Sequence, residues 1–234
     1  MCGIVGVVGN SNAVDILIQG LEKLEYRGYD SAGIYVTDAP DKGCLVKSVG
    51  RIADLRAKIS SDVKGSTGIG HTRWATHGQA TEDNAHPHTS ETGRFVLVHN
   101  GVIENYLQIK EEYLQGHKFK GQTDTEIAVH LIGKFVDEDG LSVLEALKKS
   151  LHIIQGSYAF ALVDSQAPDT IYVAKNKSPL LIGVGEGYNM VCSDAMAMIR
   201  ETSQFMEIHD KELVVLTKDA ITVTDYAGNA IERG

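Results

Sequence analysis

The sequence predicts an α+β fold in which helices cover the apolar faces of largely antiparallel sheets. Strand-like segments flank a central group of helical segments, and the later strand-like segments follow one another through short turns. No repeat, low-complexity tract or Pro/Gly-rich linker interrupts the 234 residues. We therefore expect a single domain over residues 1–234.

Short apolar, β-branched runs and helical periodicity alternate in the first part of the chain. Apolar residues at steps of three and four from Val14 to Leu24 predict a helix that stops near Gly28. Residues 73–93 show neither the spacing of a helix nor the pattern of a strand. Long segments of this kind are usually functional or disordered. The other predicted elements here are strands over 4–8, 31–37 and 45–49 and a short helix over 52–59.

A strand over 95–98 opens the second part, and Asn100-Gly101 is expected to break it. Helical spacing then predicts three helices, over 104–114, 124–135 and 141–154. The glycine-rich run 183–187 leads toward another strand, which favours a hairpin turn over a dinucleotide-binding loop. Strands are predicted over 158–164, 170–174, 180–184, 190–192, 213–217 and 221–224.

Composition and charge exclude several classes of protein. The chain has 31 acidic and 22 basic residues and a net charge of −9, which argues against a nucleic-acid partner. No apolar run approaches the ~18 residues that span a bilayer, so no membrane association is expected. The N-terminus does not resemble a signal peptide. Three widely spaced cysteines indicate a reducing, cytoplasmic compartment and no disulfide framework.

Cofactors and metals are also not expected. Five of the nine histidines lie between His71 and His99, but no carboxylate or thiolate partner at a metal-binding spacing accompanies them. The sequence therefore predicts no metal site.

Cys2 is the first candidate for chemistry. A small residue at position 2 permits removal of Met1, which would leave Cys2 with a thiol and a free α-amine. The amine is partly neutral near pH 7 and can serve as a base, so one residue could combine nucleophile and base. By position alone, a buried structural cysteine is the favoured interpretation.

A dense polar cluster at residues 71–78 adds a possible substrate site. Arg73 offers a planar set of donors that suits a carboxylate, although a surface ion pair is the ordinary role of an arginine. Trp74 could line such a site or pack in a core. Asn100 and Gly101 could together stabilise an oxyanion, or form a tight turn. Asp124 could bind an ammonium group, or it or Thr123 could cap the helix that follows.

Together these blocks resemble the glutaminase domain of class II, N-terminal-nucleophile glutamine amidotransferases. Within that family the resemblance is to the branch whose acceptor is fructose-6-phosphate. It spans essentially the whole chain, and it implies a four-layer αββα sandwich, the N-terminal-nucleophile hydrolase fold. The matching segments are 2–6, 24–33, 71–78, 84–88 and 99–105.

The resemblance also implies a role for each site residue. Cys2 would be the nucleophile and its α-amine the general base, with Asn100 and Gly101 as the oxyanion hole. Arg73 would bind the α-carboxylate of L-glutamine and Asp124 its α-amine. The residues expected in the loop around the substrate are Trp74, Thr76 and His77.

The implied reaction is hydrolysis of glutamine to glutamate and ammonia through a cysteine thioester. Ammonia would reach fructose-6-phosphate through sugar isomerase domains that follow residue 234 in the full-length enzyme, for which a homodimer is expected. Two alternatives stay open: another class II amidotransferase with a separate acceptor subunit, and a glutamine-binding module that does no chemistry, as a retained Met1 would produce.

Overall fold

Two stacked antiparallel sheets with helices on both outer faces make up the computed structural model, which describes residues 2–76 and 78–233. The helices are α1 (Ala13–Lys23), α2 (Ile52–Lys58), α3 (Tyr106–Tyr113), α4 (Asp124–Asp137) and α5 (Val143–Ile153). The strands are β1 (Gly3–Val8), β2 (Ser31–Thr37), β3 (Cys44–Val49), β4 (Thr67–Arg73), β5 (His88–Thr89), β6 (Phe95–Ile103), β7 (Gly156–Asp164), β8 (Ile171–Asn176), β9 (Leu181–Val184), β10 (Asn189–Cys192), β11 (Phe205–Glu207), β12 (Glu212–Leu216) and β13 (Ile221–Asp225).

The first sheet contains β1–β4 and β9–β11, and the second contains β5–β8, β12 and β13. The first sheet has the order β11-β9-β10-β1-β4-β2-β3 and the second β13-β12-β8-β7-β6-β5. Every strand pair in both sheets is antiparallel. Because β1 and β4 are the fourth and fifth of the seven strands in the first sheet, the start of β1 and residues 71–73 lie near the middle of that sheet.

Three apolar layers hold these elements together, as expected when each sheet face must be covered. Between the sheets, Ile4 and Val8 pack with Val98 and Ala161 of the second sheet. A second cluster joins α1 and α2 to the outer face of the first sheet. A third joins α3, α4 and α5 to the outer face of the second. The layer order is therefore helix, sheet, sheet, helix, which confirms the predicted αββα sandwich.

The predicted end of the strand at Asn100-Gly101 is wrong. β6 continues to Ile103, and Asn100 and Gly101 are paired with Ala159 and Tyr158 of β7. The dipeptide favours a turn only when its backbone groups lack other partners, and here the β7 ladder supplies them. Gly101 has a φ of 122°, a conformation that glycine adopts easily.

Smaller departures from the prediction occur where the apolar pattern is short. The helix expected from residue 104 begins at Tyr106. Three short elements were not predicted, because each has too few residues to show a hydrophobic period: the strand Phe205–Glu207 and the 3₁₀ helices Glu25–Arg27 and Ala195–Met198. The hairpin predicted around residues 183–187 is confirmed, because β9 and β10 pair on either side of it. Among the described residues, no helix combines the length and the apolar character needed to cross a membrane.

Candidate active site

Cys2 lies at the start of β1, beside the end of β4. Gly3 is paired with Thr72, and the Cys2 sulfur is 3.9 Å from the backbone oxygen of Trp74. Burial raises the pKa of the Cys2 thiol above its ordinary value. The thiol is therefore protonated near pH 7, and a reaction at this sulfur needs a base to accept its proton. Met1 lies outside the described residues.

The amide of Asn100 is oriented by His71, which reaches across from the other sheet. Nε2 of His71 is 2.9 Å from Oδ1 of Asn100 and 3.0 Å from the backbone oxygen of His99. Since both are acceptors, Nε2 carries the proton and donates to them. With Oδ1 occupied in this way, the Asn100 Nδ2 group faces Cys2 and donates to its backbone oxygen at 3.3 Å.

His71 is a neutral donor because it is buried. Burial lowers its pKa to about 3. Its ring stacks on that of His86, with centroids 3.9 Å apart and planes within 9° of parallel. This packing fixes the direction of the hydrogen bond to Asn100.

Gly101 brings backbone, with no side chain, close to Cys2. A Cβ atom at this position would collide with the backbone carbonyl of Ser157. Together with the φ of 122°, this contact explains why glycine is needed here. An oxyanion hole requires backbone and amide donors that are held in place, and this corner of β6 provides such a rigid frame.

Arg73 and Asp124 line the same cavity. The Arg73 side chain is buried, and its two terminal nitrogens donate to the backbone oxygens of Gln79 at 3.0 Å and Gly78 at 3.3 Å. Asp124 is the first residue of α4, and its Oδ2 accepts from the Ile103 amide at 2.9 Å. Thr123 caps the helix by accepting from the amide of Glu126, which decides between the two capping residues that the sequence left open.

A small cavity of about 30 Å³ brings most of the predicted site residues together. Of the predicted set, Cys2, Arg73, Trp74, Thr76, Gly101 and Asp124 line it, and Asn100 contacts Cys2 at its edge. Trp74 and Thr76 are exposed. His77 lies outside the described residues. Four further lining residues were not predicted: His86, His99, Thr123 and Thr125.

Other residues that support this site were missed because their contacts depend on the fold. Asp30 fixes the chain after β4, since its backbone amide donates to the oxygen of Arg73 and its Oδ2 accepts from Ala75, both at 2.8 Å. Arg27 lies 3.5 Å from the backbone oxygen of Cys2 and pairs with Asp194. Both residues fall in the segment 24–33, and the resemblance was the only signal that could have identified them.

Comparison with known proteins decides the family. A model of a glutamine amidotransferase domain matches residues 71–201. The chain belongs to this glutamine amidotransferase domain family. It is 82% identical to glutamine–fructose-6-phosphate aminotransferase (isomerizing) of Streptococcus mutans and 83% identical to that of Streptococcus pyogenes serotype M1, in each case over 233 residues. The predicted resemblance to class II amidotransferases is thus confirmed.

Solved structures agree with this assignment. The glutamine phosphoribosylpyrophosphate amidotransferase of Bacillus subtilis has a TM-score of 0.83 and 29% identity, over 98% of this chain and 50% of that one. A glutamine aminotransferase class-II domain protein from Silicibacter pomeroyi has a TM-score of 0.60 and 15% identity, over 97% of this chain and 99% of that one, and shares the fold alone. The amidotransferase domain spans 38% of the length of its streptococcal relatives.

Proposed function

We propose that this domain hydrolyses L-glutamine to glutamate and ammonia, with Cys2 as the nucleophile after removal of Met1. Support comes from one arrangement: Cys2, Arg73 and Asp124 line the same cavity, and the Asn100 amide donates to the backbone of Cys2. A protein that only binds glutamine needs Arg73 and Asp124 but not the thiol or the amide. An amide held beside a thiol is also suited to stabilise an oxyanion that forms there, which binding alone does not require.

The reaction follows from these groups. The Cys2 thiol transfers its proton to its own α-amine, and the thiolate attacks the side-chain amide carbon of glutamine. The carbonyl oxygen becomes an oxyanion, which the Asn100 side chain and the Gly101 backbone amide stabilise by hydrogen bonds. The tetrahedral intermediate collapses, and the leaving nitrogen takes the proton from the α-ammonium and departs as ammonia. Water then attacks the thioester and releases glutamate and the free thiol.

Selectivity for an α-amino acid follows from charge. Arg73 presents a planar cation that suits the α-carboxylate, and Asp124 presents an anion that suits the α-ammonium. Trp74, Thr76 and His77 belong to the segment that would cover the substrate. A cavity of about 30 Å³ holds roughly one water molecule, so glutamine requires this segment to move outward and close again. Hydrogen exchange over residues 74–88 should therefore slow when glutamine binds, and equal exchange with and without it would contradict the proposed movement.

The acceptor of the ammonia is proposed from the relatives. Those with 82–83% identity are named for fructose-6-phosphate, and the chain spans 38% of their length. We therefore propose that a longer, cytoplasmic and dimeric protein passes the ammonia to fructose-6-phosphate bound by further domains. Sugar isomerase sequence encoded after residue 234 would support this acceptor. A different sequence there would favour an amidotransferase with another acceptor.

Intact mass spectrometry before and after incubation with an electrophilic glutamine analogue tests the proposed hydrolysis. We expect a mass without Met1 and a single adduct on Cys2. Cys2→Ala should lose glutamate production and still bind glutamine. Cys44→Ala is the matched control, because Cys44 is a free, half-buried thiol on β3 and should label and turn over like the parent. A processed N-terminus without an adduct would contradict the proposal and favour a glutamine-binding module.

A further inference from the structure

A second group of side chains, outside the glutamine site, has the composition of a metal centre. Glu91 follows β5, His117 lies between α3 and α4, and His130 lies within α4. One ligand atom from each lies within 4.8 Å of the others. Nδ1 of His117 is 2.9 Å from Nδ1 of His130, and the Glu91 carboxylate is 3.8 Å and 3.5 Å from these two nitrogens.

These separations suit a tetrahedral ion. Zinc bound at about 2.0–2.1 Å to nitrogen places neighbouring ligand atoms about 3.3 Å apart. The observed values of 2.9, 3.5 and 3.8 Å bracket that distance. Two histidines and one glutamate form a known ligand set for zinc with an open fourth position. A cavity of about 260 Å³ lined by Glu91 and His117 offers room for water there.

The outer nitrogen of the His117 ring is within hydrogen-bond distance of a carboxylate, as in most metal-bound histidines, and that of His130 lies near a second carboxylate that accepts from the Lys120 amide. Nε2 of His117 is 2.8 Å from Glu138, and Nε2 of His130 is 3.8 Å from Glu126. Protons on both Nε2 atoms leave the two Nδ1 lone pairs directed at each other and at Glu91. Three converging acceptors would repel one another, and either a bound cation or a proton shared by the two Nδ1 atoms relieves that repulsion. Oε2 of Glu91 also accepts from the Lys118 amide at 2.9 Å.

We propose that Glu91, His117 and His130 bind one divalent transition-metal ion, with zinc the preferred element. The site would join α4 to the turn after β5 and to the connection between α3 and α4. The ordinary alternative is a hydrogen bond in which Nδ1 of His130 donates to Nδ1 of His117. Lys120 places a positive charge near His130, and the three carboxylates of Glu91, Glu126 and Glu138 outweigh it.

The sequence predicts no metal site because its clustered histidines, between residues 71 and 99, have no carboxylate or thiolate at a metal-binding spacing. His117 and His130 fall outside that range, and Glu91 joins them only through the packing of three separate segments. Proximity of this kind carries no local sequence signal.

Zinc titration of the chelator-stripped protein tests the site, with Cys2→Ala as the background so that the active-site thiol cannot compete. We expect one zinc ion per chain, a higher melting temperature with zinc, and cobalt absorption of the strong four-coordinate type. Glu91→Gln and His117→Gln should each weaken binding by at least about 10- to 100-fold, the loss typical of even an outer-shell partner. Glu91 is 37% exposed, and glutamine in its place keeps an amide oxygen that can accept from the Lys118 amide, so this variant removes the charge with little change in packing.

His152→Gln is the matched control, because His152 is an exposed histidine on α5 whose Nδ1 already contacts the backbone of Lys148. Its zinc affinity should equal that of the background protein. No bound zinc, or equal zinc affinity in Glu91→Gln, His117→Gln and the background, would overturn the proposal and favour the histidine–histidine hydrogen bond.

Discussion

His71 should control the rate of glutamine hydrolysis without touching the substrate. Its Nε2 donates at 2.9 Å to Oδ1 of Asn100, which turns the Asn100 amide toward Cys2. His71→Leu removes this donor from a buried position at little change in side-chain volume. Asn100 can then rotate its amide, and molecules with the carbonyl facing Cys2 lack one oxyanion donor.

The size of the effect follows from the hydrogen bond that is lost. A neutral hydrogen bond contributes about 0.5–1.5 kcal/mol net, and about 1.4 kcal/mol corresponds to tenfold in rate. We therefore expect kcat to fall roughly 2- to 13-fold with KM unchanged. Complete removal of the donor in Asn100→Ala should cost more, on the order of 10²–10³ in kcat.

Steady-state glutaminase assays on a double-mutant cycle isolate this coupling. In the Asn100→Ala background, His71→Leu should have no further effect on kcat, because no amide remains to be oriented. His71→Gln, which can supply an N–H group, should recover part of the rate. An equal fall in both backgrounds would refute the reasoning, since it would mean that His71 acts through general packing.

Three further predictions concern the same region. Arg73→Lys should raise KM for glutamine by roughly 10- to 100-fold with a smaller change in kcat, because lysine cannot hold a carboxylate bidentately, and an unchanged KM would contradict the assignment. Gly101→Ala should lower the unfolding free energy more than Gly116→Ala, because both positions have positive φ but only an alanine at 101 meets backbone atoms; urea denaturation of both variants measures the difference. Stability should fall as pH drops below about 6.5, since the folded-state pKa of His71 is about 3 and the unfolded chain binds more protons. The loss from this residue is roughly 2 kcal/mol at pH 5, and His71→Leu should show a smaller loss between pH 8 and pH 5.

The sequence predicted the layers of the fold well and the exact ends of elements less well. The periodicity of α1 reflects burial of one helix face, which any compact solution must provide, whereas α4 is buried on nearly all sides. Asn100-Gly101 was misjudged because its local preference for a turn is weaker than nine residue pairings between β6 and β7. β11 was missed because it is a three-residue edge strand with exposed ends.

The candidate site residues were proposed from family resemblance more than from chemistry visible in the residues. Cys2 and Arg73 are far apart in sequence, and only the pairing of β1 with β4 brings them together. His71 was part of a noted cluster, but its hydrogen bond to Asn100 joins two different sheets. A contact between separate sheets follows from tertiary packing, which no local pattern encodes.

The proposed chemistry depends on how the two sheets pack against each other. Cys2 precedes β1 and Arg73 ends β4 in one sheet, whereas Asn100 and Gly101 lie in the other, so the position of the proposed nucleophile relative to the proposed oxyanion donors depends on how the two sheets pack. Small side chains between the sheets, such as Ala161, therefore influence the geometry of the candidate site without lining its cavity. A substitution that changes the volume of this apolar layer should therefore alter the rate of the proposed glutamine hydrolysis as well as the stability of the fold.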